Sequence, residues 1–238
     1  MTDIRQYLSK FSNKKMLVVF PHPDDESVMA GGLILVALKE GWEVVVLTLT
    51  EGDSGKIYIN GGGRSTREIR REEMASAMSR LGVIDWVMWR FDDGRLRKTK
   101  KWRERLNKFV EITDPSLVVT YDLSGVSGHP DHISLGLEIL KLTRKRKIHL
   151  IWPSFIEEGR VIVDSRIKKY AQKPGLRLRM TMGESLKKWL AAFSHRSQGL
   201  RGFIGMDWYL AVLLRRNEWF AGMKPNKKYR YRYVKFRV

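Results

Sequence analysis

The 238-residue chain contains no cysteine. That excludes a disulfide framework, a thiolate metal site and a cysteine nucleophile, and it fits a reducing compartment. Long apolar runs are missing too: stretches such as 16–20 and 44–47 fall far short of the roughly 20 residues that cross a bilayer. Residues 1–15 set Asp3, Arg5, Lys10, Lys14 and Lys15 among polar neighbours and lack the apolar segment of a secretory signal. A cytoplasmic location without a transmembrane segment is the expectation. No internal repeat, low-complexity stretch or Pro- or Ser-rich linker divides the chain, so a single domain over 1–238 is expected. Neither Ser124-Gly125 nor Ser54-Gly55 sits in a Gly-x-Ser-x-Gly elbow, which argues against a serine hydrolase. Gly61-Gly62-Gly63 matches no phosphate-loop pattern and reads as a flexible segment near a site mouth.

What the chain does have is positive charge. Forty-five Lys and Arg against 26 Asp and Glu give +19, yet 43% of residues are apolar and eight are tryptophan, too apolar for a disordered polycation. Met16-Leu17-Val18-Val19-Phe20 is a β-branched apolar run of the kind covered on both faces of a sheet. A helix over 27–39 closed by Gly41, a strand over 44–50 and a helix over 65–81 closed by Gly82 follow. A strand over 86–91, a helix marked by Trp102, Leu106, Phe109 and Val110, a strand over 117–121, a helix over 132–142 and a strand over 148–152 continue the rhythm. Such alternation predicts an α/β fold: a Rossmann-like, mostly parallel sheet with helices on both faces. Beyond 153 the rhythm breaks into a two-stranded excursion (160–163 with 176–181), a helix over 184–192, another around 208–214, and a strand-like tail.

In such sheets the site lies beyond the carboxyl ends of the strands. The first strand runs into Pro21-His22-Pro23-Asp24-Asp25-Glu26, and the fourth into a loop ending Gly128-His129-Pro130-Asp131-His132. Two imidazoles and one carboxylate, with water in a fourth position, make up a hydrolytic zinc site. The alternative is that Asp24 and Asp25 cap a helix and the histidines are buried and satisfied. Against it, the two loops hold three of the five histidines at predicted strand ends.

These paired motifs resemble the LmbE-like, or PIG-L-like, zinc-dependent N-acetylglucosaminyl deacetylases. The similarity extends through Leu47-Thr48-Leu49-Thr50, the helix with Arg70 and Glu73 leading to Leu81-Gly82-Val83, Phe91-Asp92-Asp93-Gly94, Val118-Val119-Thr120-Tyr121-Asp122 and His195-Arg196-Ser197-Gln198. It covers about residues 15–200, leaving 224–238 as a basic extension. The resemblance implies an LmbE-like fold with His22, Asp25 and His132 as metal ligands and Asp24 as the base that deprotonates metal-bound water. It further implies His129 as electrostatic stabiliser or acid, with Asp131 orienting its ring, and Arg70, Asp92 and His195 as substrate-binding residues. Asp93 competes with Asp92 for that part, since a turn before Gly94 welcomes either. The implied cofactor is Zn2+, with Fe2+ or Co2+ as alternatives for the same ligands.

The expected activity is hydrolysis of the N-acetyl group of an N-acetylglucosamine-type sugar, free, phosphate-linked or lipid-linked. An amidase acting on a larger N-acyl or thiol-conjugated aminosugar is the nearest alternative. A basic binding module with a vestigial metal site is the alternative of another class. Residues 224–238 hold seven basic residues and no acidic one, interleaved with Tyr229, Tyr231, Tyr233 and Phe236. Such a tail suits nucleic acid or a charge-protected edge strand, and the structural use carries more weight. The basic run 141–147 suits a helix C-terminus. Phe203, Trp208, Tyr209 and Leu213, flanked by Arg201, Arg215 and Arg216, suit a core helix first and an anionic membrane surface second. Homo-oligomer formation is left open.

Overall fold

The computed structural model describes residues 1–154, 156–157, 160–161, 170–199 and 215–223. The first half of the chain runs β1 (Thr2–Asp3), α1 (Ile4–Leu8), β2 (Lys15–Phe20), α2 (Asp25–Lys39), β3 (Glu43–Thr50), α3 (Thr66–Leu81), β4 (Asp85–Phe91) and α4 (Lys101–Thr113). The second half runs β5 (Leu117–Val119), α5 (Gly125–Gly128), α6 (Pro130–Arg146), β6 (His149–Ser154), β7 (Ile156–Glu157), β8 (Arg160–Val161), β9 (Leu176–Arg179), α7 (Met182–Ala192) and β10 (Asn217–Met223).

Side-chain alternation in the apolar strands builds two cores. Met16, Val18 and Phe20 of β2, with Val44 and Val46 of β3, face one core, which α2, α3 and α7 cover through Leu33, Met78 and Ala191 among others. Leu17, Val19, Leu47 and Leu49 face the other, covered by Trp102, Leu106 and Val110 of α4 and Leu135 and Ile139 of α6. A strand buried on both faces is largely apolar, as β2 is after Lys15 and β3 is between Val44 and Leu47. Local signals set the helix ends: Ser65 and Glu68 form a reciprocal capping box on α3, and Gly82 closes it in the left-handed region.

The main sheet has the order β1-β9-β10-β6-β5-β2-β3-β4. β6, β5, β2, β3 and β4 are mutually parallel, with Met16 opposite both Val44 and Leu117. The chain leaves β2 toward β3 and β4, then returns to β5 and β6 on the other side. This reversal opens a crevice at the carboxyl ends of β2 and β5, where α/β folds place ligands.

Beyond 153 the expected excursion is corrected. β8 pairs with β7, whereas β9 joins the main sheet, parallel to β1 and antiparallel to β10. Alternation marks a strand but not its distant partner. β10 went unread because Glu218 and Gly222 interrupt its apolar pattern. The expected helix around 208–214 and the tail 224–238 lie outside the described residues. No helix among the described residues is long and apolar enough to cross a membrane.

Candidate metal centre

Both motif loops end in the crevice. Asp24, between β2 and α2, has φ 105°, an outlier for a residue with a side chain. Its carbonyl accepts from Val28 N at 3.0 Å and its amide donates to Glu26 Oε2 at 3.2 Å. α2 starts at Asp25 rather than after it, so the two adjacent aspartates stand on opposite sides of a helix boundary. In the second loop Gly125 (φ 57°) passes so near α6 that an added Cβ would meet His132 Cβ at 3.0 Å and Ile133 Cγ1 at 2.9 Å. Val126 beside it has φ 60° and ψ −56°, a strained position for a β-branched residue. Asp122 anchors this loop by accepting from Ser124 N at 3.0 Å and Gln172 N at 2.9 Å.

His22, Asp25 and His132 converge. His22 Nδ1 lies 3.1 Å from His132 Nε2 and 3.5 Å from Asp25 Oδ2, and His132 Nε2 lies 3.8 Å from Asp25 Oδ2. A tetrahedral ion with N and O ligands at 2.0–2.2 Å sets its donor atoms about 3.3 Å apart, so the set fits a small divalent cation. The remaining polar atoms fix the donor faces. His132 Nδ1–H donates to the Gly125 carbonyl at 3.0 Å, which leaves Nε2 with its lone pair free. Tyr121 Oη–H donates to Asp25 Oδ1, and Oδ2, which accepts from His22 N at 3.1 Å, keeps a second lone pair for a cation.

The other nitrogen of His22 meets carboxylates. Nε2 lies 3.0 Å from Asp93 Oδ1 and 3.5 Å from Asp131 Oδ2, a pattern that orients a metal-ligating imidazole. Candidate donor atoms form two clusters that share His22, one with His129 and His132 and one with Asp93 and Asp131.

The structure adjusts several expected roles. Asp131 is fully buried, and its carboxylate accepts from Gly94 N at 2.8 Å and Leu96 N at 3.0 Å. It reaches His129 through its main-chain N–H, which donates to Nδ1 at 3.3 Å, and not through the carboxylate expected to orient that ring. A neutral His129 therefore carries its proton on Nε2. Asp92 is exposed, and it is Asp93 that enters the crevice. Arg70 is buried and donates to the carbonyls of Gly52 and Lys56, with Nε unpartnered. His195 is buried, its Nε2 3.3 Å from Glu26 Oε1 and its Nδ1 without a partner. The turn that follows, Arg196–Gln198, is pinned to the first loop and to α3: Gln198 Nε2 donates to the Pro23 carbonyl, and Ser197 N and Oγ both donate to Glu73 at 2.7 Å.

Sequence reasoning gave no role to Tyr121, Glu26 or Glu73. Tyr121 closes an apolar strand pattern and passes for core, although its polar end among carboxylates was a usable signal. Glu26 and Glu73 stand in quoted motifs, but nothing in their spacing points to His195 and Ser197.

Electrostatics suit a cation. Burial opposes ionisation of Asp25, but His132, His22 and the Tyr121 hydroxyl outweigh it and hold the carboxyl low. Burial drives His132 down to about 4, keeping it neutral, and it lowers His129 too, helped by His22. His22 goes the other way: against burial, Asp131, Asp25 and Asp93 raise it well above its ordinary value, so a cation must displace a proton there. Burial and the adjacent Asp25 push Asp24 up to about 8.

Comparison with known proteins identifies the family. The sequence profile of PIG-L, described as GlcNAc-PI de-N-acetylase, matches residues 17–142. The chain is 33% identical over 145 residues to 1D-myo-inositol 2-acetamido-2-deoxy-alpha-D-glucopyranoside deacetylase 1 of Catenulispora acidiphila, covering 50% of this chain and 45% of that one. It is 34% identical over 131 residues to the probable N-acetyl-alpha-D-glucosaminyl L-malate deacetylase 2 of Bacillus anthracis, covering 52% and 57%. The chain thus spans about half the length of the curated relatives it matches. The fold is that of N,N'-diacetylchitobiose deacetylase from Pyrococcus horikoshii, with TM-score 0.69, 23% identity and coverage of 92% of this chain and 87% of that one. With the match running through both motif loops, the chain belongs to the PIG-L family of GlcNAc-PI de-N-acetylases.

Proposed function

We propose that this protein hydrolyses the N-acetyl group of an N-acetylglucosamine-type sugar or glycoconjugate, using a divalent cation held by His22, Asp25 and His132, zinc before iron(II) or cobalt. The observation that carries the reading is the meeting of those three donors at 3.1–3.8 Å, with Asp24 next to them in the chain. The names of the two relatives share an N-acetylated glucosamine and differ in what it is joined to, inositol or malate, which supports the acetamide as the group attacked.

A cation in that site supplies a Lewis acid that polarises the amide carbonyl and acidifies water. Asp24 takes a proton from the attacking water at its carboxylate as the oxygen adds to the carbonyl carbon. It starts from about 8, and added positive charge nearby draws that value down, which keeps it a competent base at neutral pH. His129, neutral and protonated on Nε2, donates a hydrogen bond to the oxygen that gains charge. The C–N bond then breaks, the nitrogen receives the proton held by Asp24, and acetate and a free sugar amine leave. Asp131 and Asp93 hold His22 in place, and Arg70 and His195 shape the wall around Asp24. All this rests within one domain.

The test measures bound metal together with acetate released from N-acetylglucosamine, N,N'-diacetylchitobiose and N-acetylglucosamine 1-phosphate by the native protein and Asp24→Ala. Metal near one per chain in both, with acetate released by the native protein alone, is expected. Equal release by Asp24→Ala removes the proposed base; metal bound without any release overturns the deacetylase reading.

A further inference from the structure

The connection between β4 and α4, with the first residue of α4, carries Arg95, Arg97, Lys98, Lys100 and Lys101, all exposed. Among the described residues no carboxylate lies within 4.0 Å of any of them. The stretch is held firmly. Arg95 N donates to the Asp92 carbonyl at 3.2 Å and Lys98 N to the Arg95 carbonyl at 2.9 Å. Leu96 is fully buried, and Trp102 Nε1 donates to its carbonyl at 2.8 Å. Most telling, the amides of Gly94 and Leu96 are the two that Asp131 holds. The cations are therefore tied to the carboxylate that faces His22 Nε2, on the side of the ring away from His132.

Fold stability gives no reason for these charges. Lys100 and Lys101 begin α4, where the helix dipole disfavours cations, and Lys100 provides no side-chain cap. The run 141–147 differs: it ends α6, where cations are favoured, at the far end of a 17-residue helix, about 25 Å from its first residue. Like charges kept together without counter-ions, on a segment whose Gly94 and Leu96 amides hold Asp131, raise the potential near the site and favour an anionic ligand.

We propose that Arg95, Arg97, Lys98, Lys100 and Lys101 form a rim that binds an anionic group, phosphate or carboxylate, carried by the aminosugar away from its acetamide. The inference deepens the amide-hydrolase reading and rests on it for the position of the sugar. Arginine forks suit the paired oxygens of either group, and the lysines add point charge.

The experiment compares kcat/KM for N-acetylglucosamine 1-phosphate with that for neutral N,N'-diacetylchitobiose, and follows their ratio. The variant Arg97→Gln/Lys98→Gln/Lys101→Gln leaves Arg95 and the clamped amides in place. Lys141→Gln/Lys145→Gln/Lys147→Gln removes the same charge far from the crevice. The rim variant is expected to lower the ratio on the order of tenfold and the remote variant to leave it near the native value. An unchanged ratio in the rim variant, or an equal fall in both, overturns the proposal. Binding of N-acetylglucosamine 1-phosphate measured in the Asp24→Ala background does not depend on turnover. If the native protein cleaves neither sugar, the deacetylase reading fails alone, and weaker binding by the rim variant still upholds the inference while unchanged binding ends it. Loss of sedimentation with phosphatidylglycerol vesicles, at an unchanged ratio, assigns the cations to a lipid surface and likewise overturns it.

Discussion

Tyr121 donates its phenolic hydrogen to Asp25 while its ring lies stacked on that of His132, centroids 4.1 Å apart and planes 9° from parallel. One side chain thereby steadies two of the three residues proposed to hold a cation. Burial and the nearby Asp25 raise its hydroxyl well above the ordinary value, so the proton stays on Oη and is available to donate.

Tyr121→Phe keeps the stacked ring and removes only the donor. Cation affinity should fall about 10- to 100-fold, the usual cost of losing an outer-shell partner. Tyr121→Leu should lower it further. Competition titration against a chelating dye reads both, and equal affinity of Phe and native proteins would deny Tyr121 this part.

Asp24 combines a positive φ with a carboxylate crowded by Asp25 and Glu26. Backbone strain of this kind costs about 1–3 kcal/mol. Asp24→Gly should therefore raise the thermal midpoint of the cation-free protein while abolishing acetate release. A lowered midpoint in calorimetry would show that the turn is not strained.

Lys188 Nζ and Glu218 Oε1 form a buried pair at 2.8 Å, and the same carboxylate accepts from Gly32 N at 2.8 Å and Leu33 N at 2.9 Å on α2. Glu218→Ala strands a buried ammonium and should cost about 3–5 kcal/mol. Lys188→Met combined with Glu218→Gln should recover part of it. Urea denaturation compares the three proteins, and a loss below 1 kcal/mol for Glu218→Ala would mean water reaches the pair.

Glu184 caps α7 and meets Arg5 at 3.0 Å. Burial opposes its ionisation, yet the Thr181 amide and Arg5 hold its pKa below the ordinary 4.5. A depressed carboxyl stabilises the fold at pH values above its unfolded value, and that contribution disappears as pH falls through the folded one. Glu184→Gln should thus be less stable than native near pH 7, by up to about 1 kcal/mol, with the gap closing in acid. A gap that stays constant with pH would count against the ion pair and the charged cap.

That the two histidine loops meet was legible because proline and histidine recur directly after apolar strands, where local pattern and topology agree. Asp93 was not separable from Asp92, since adjacent residues before Gly94 differ only in which way the turn points them. Two apolar faces on one strand, as at Met16 and Leu17, announce a sheet covered twice. The partner of Leu176 was hidden because a parallel pairing with Thr2 spans most of the chain. Glu218 stands in a strand that the sequence pattern did not mark, and only the fold reveals the lysine it neutralises.

Glu218 and Lys188 come from outside residues 17–142, the stretch that carries the family likeness, yet both press on α2, whose first residue is Asp25. β6, also from outside, completes the pairing of β5. A fragment cut at Leu142 would keep His22, Asp25 and His132 and lose what braces them. The stretch that the family profile covers is smaller than the stretch whose packing positions these residues, which reaches through Met223 of β10.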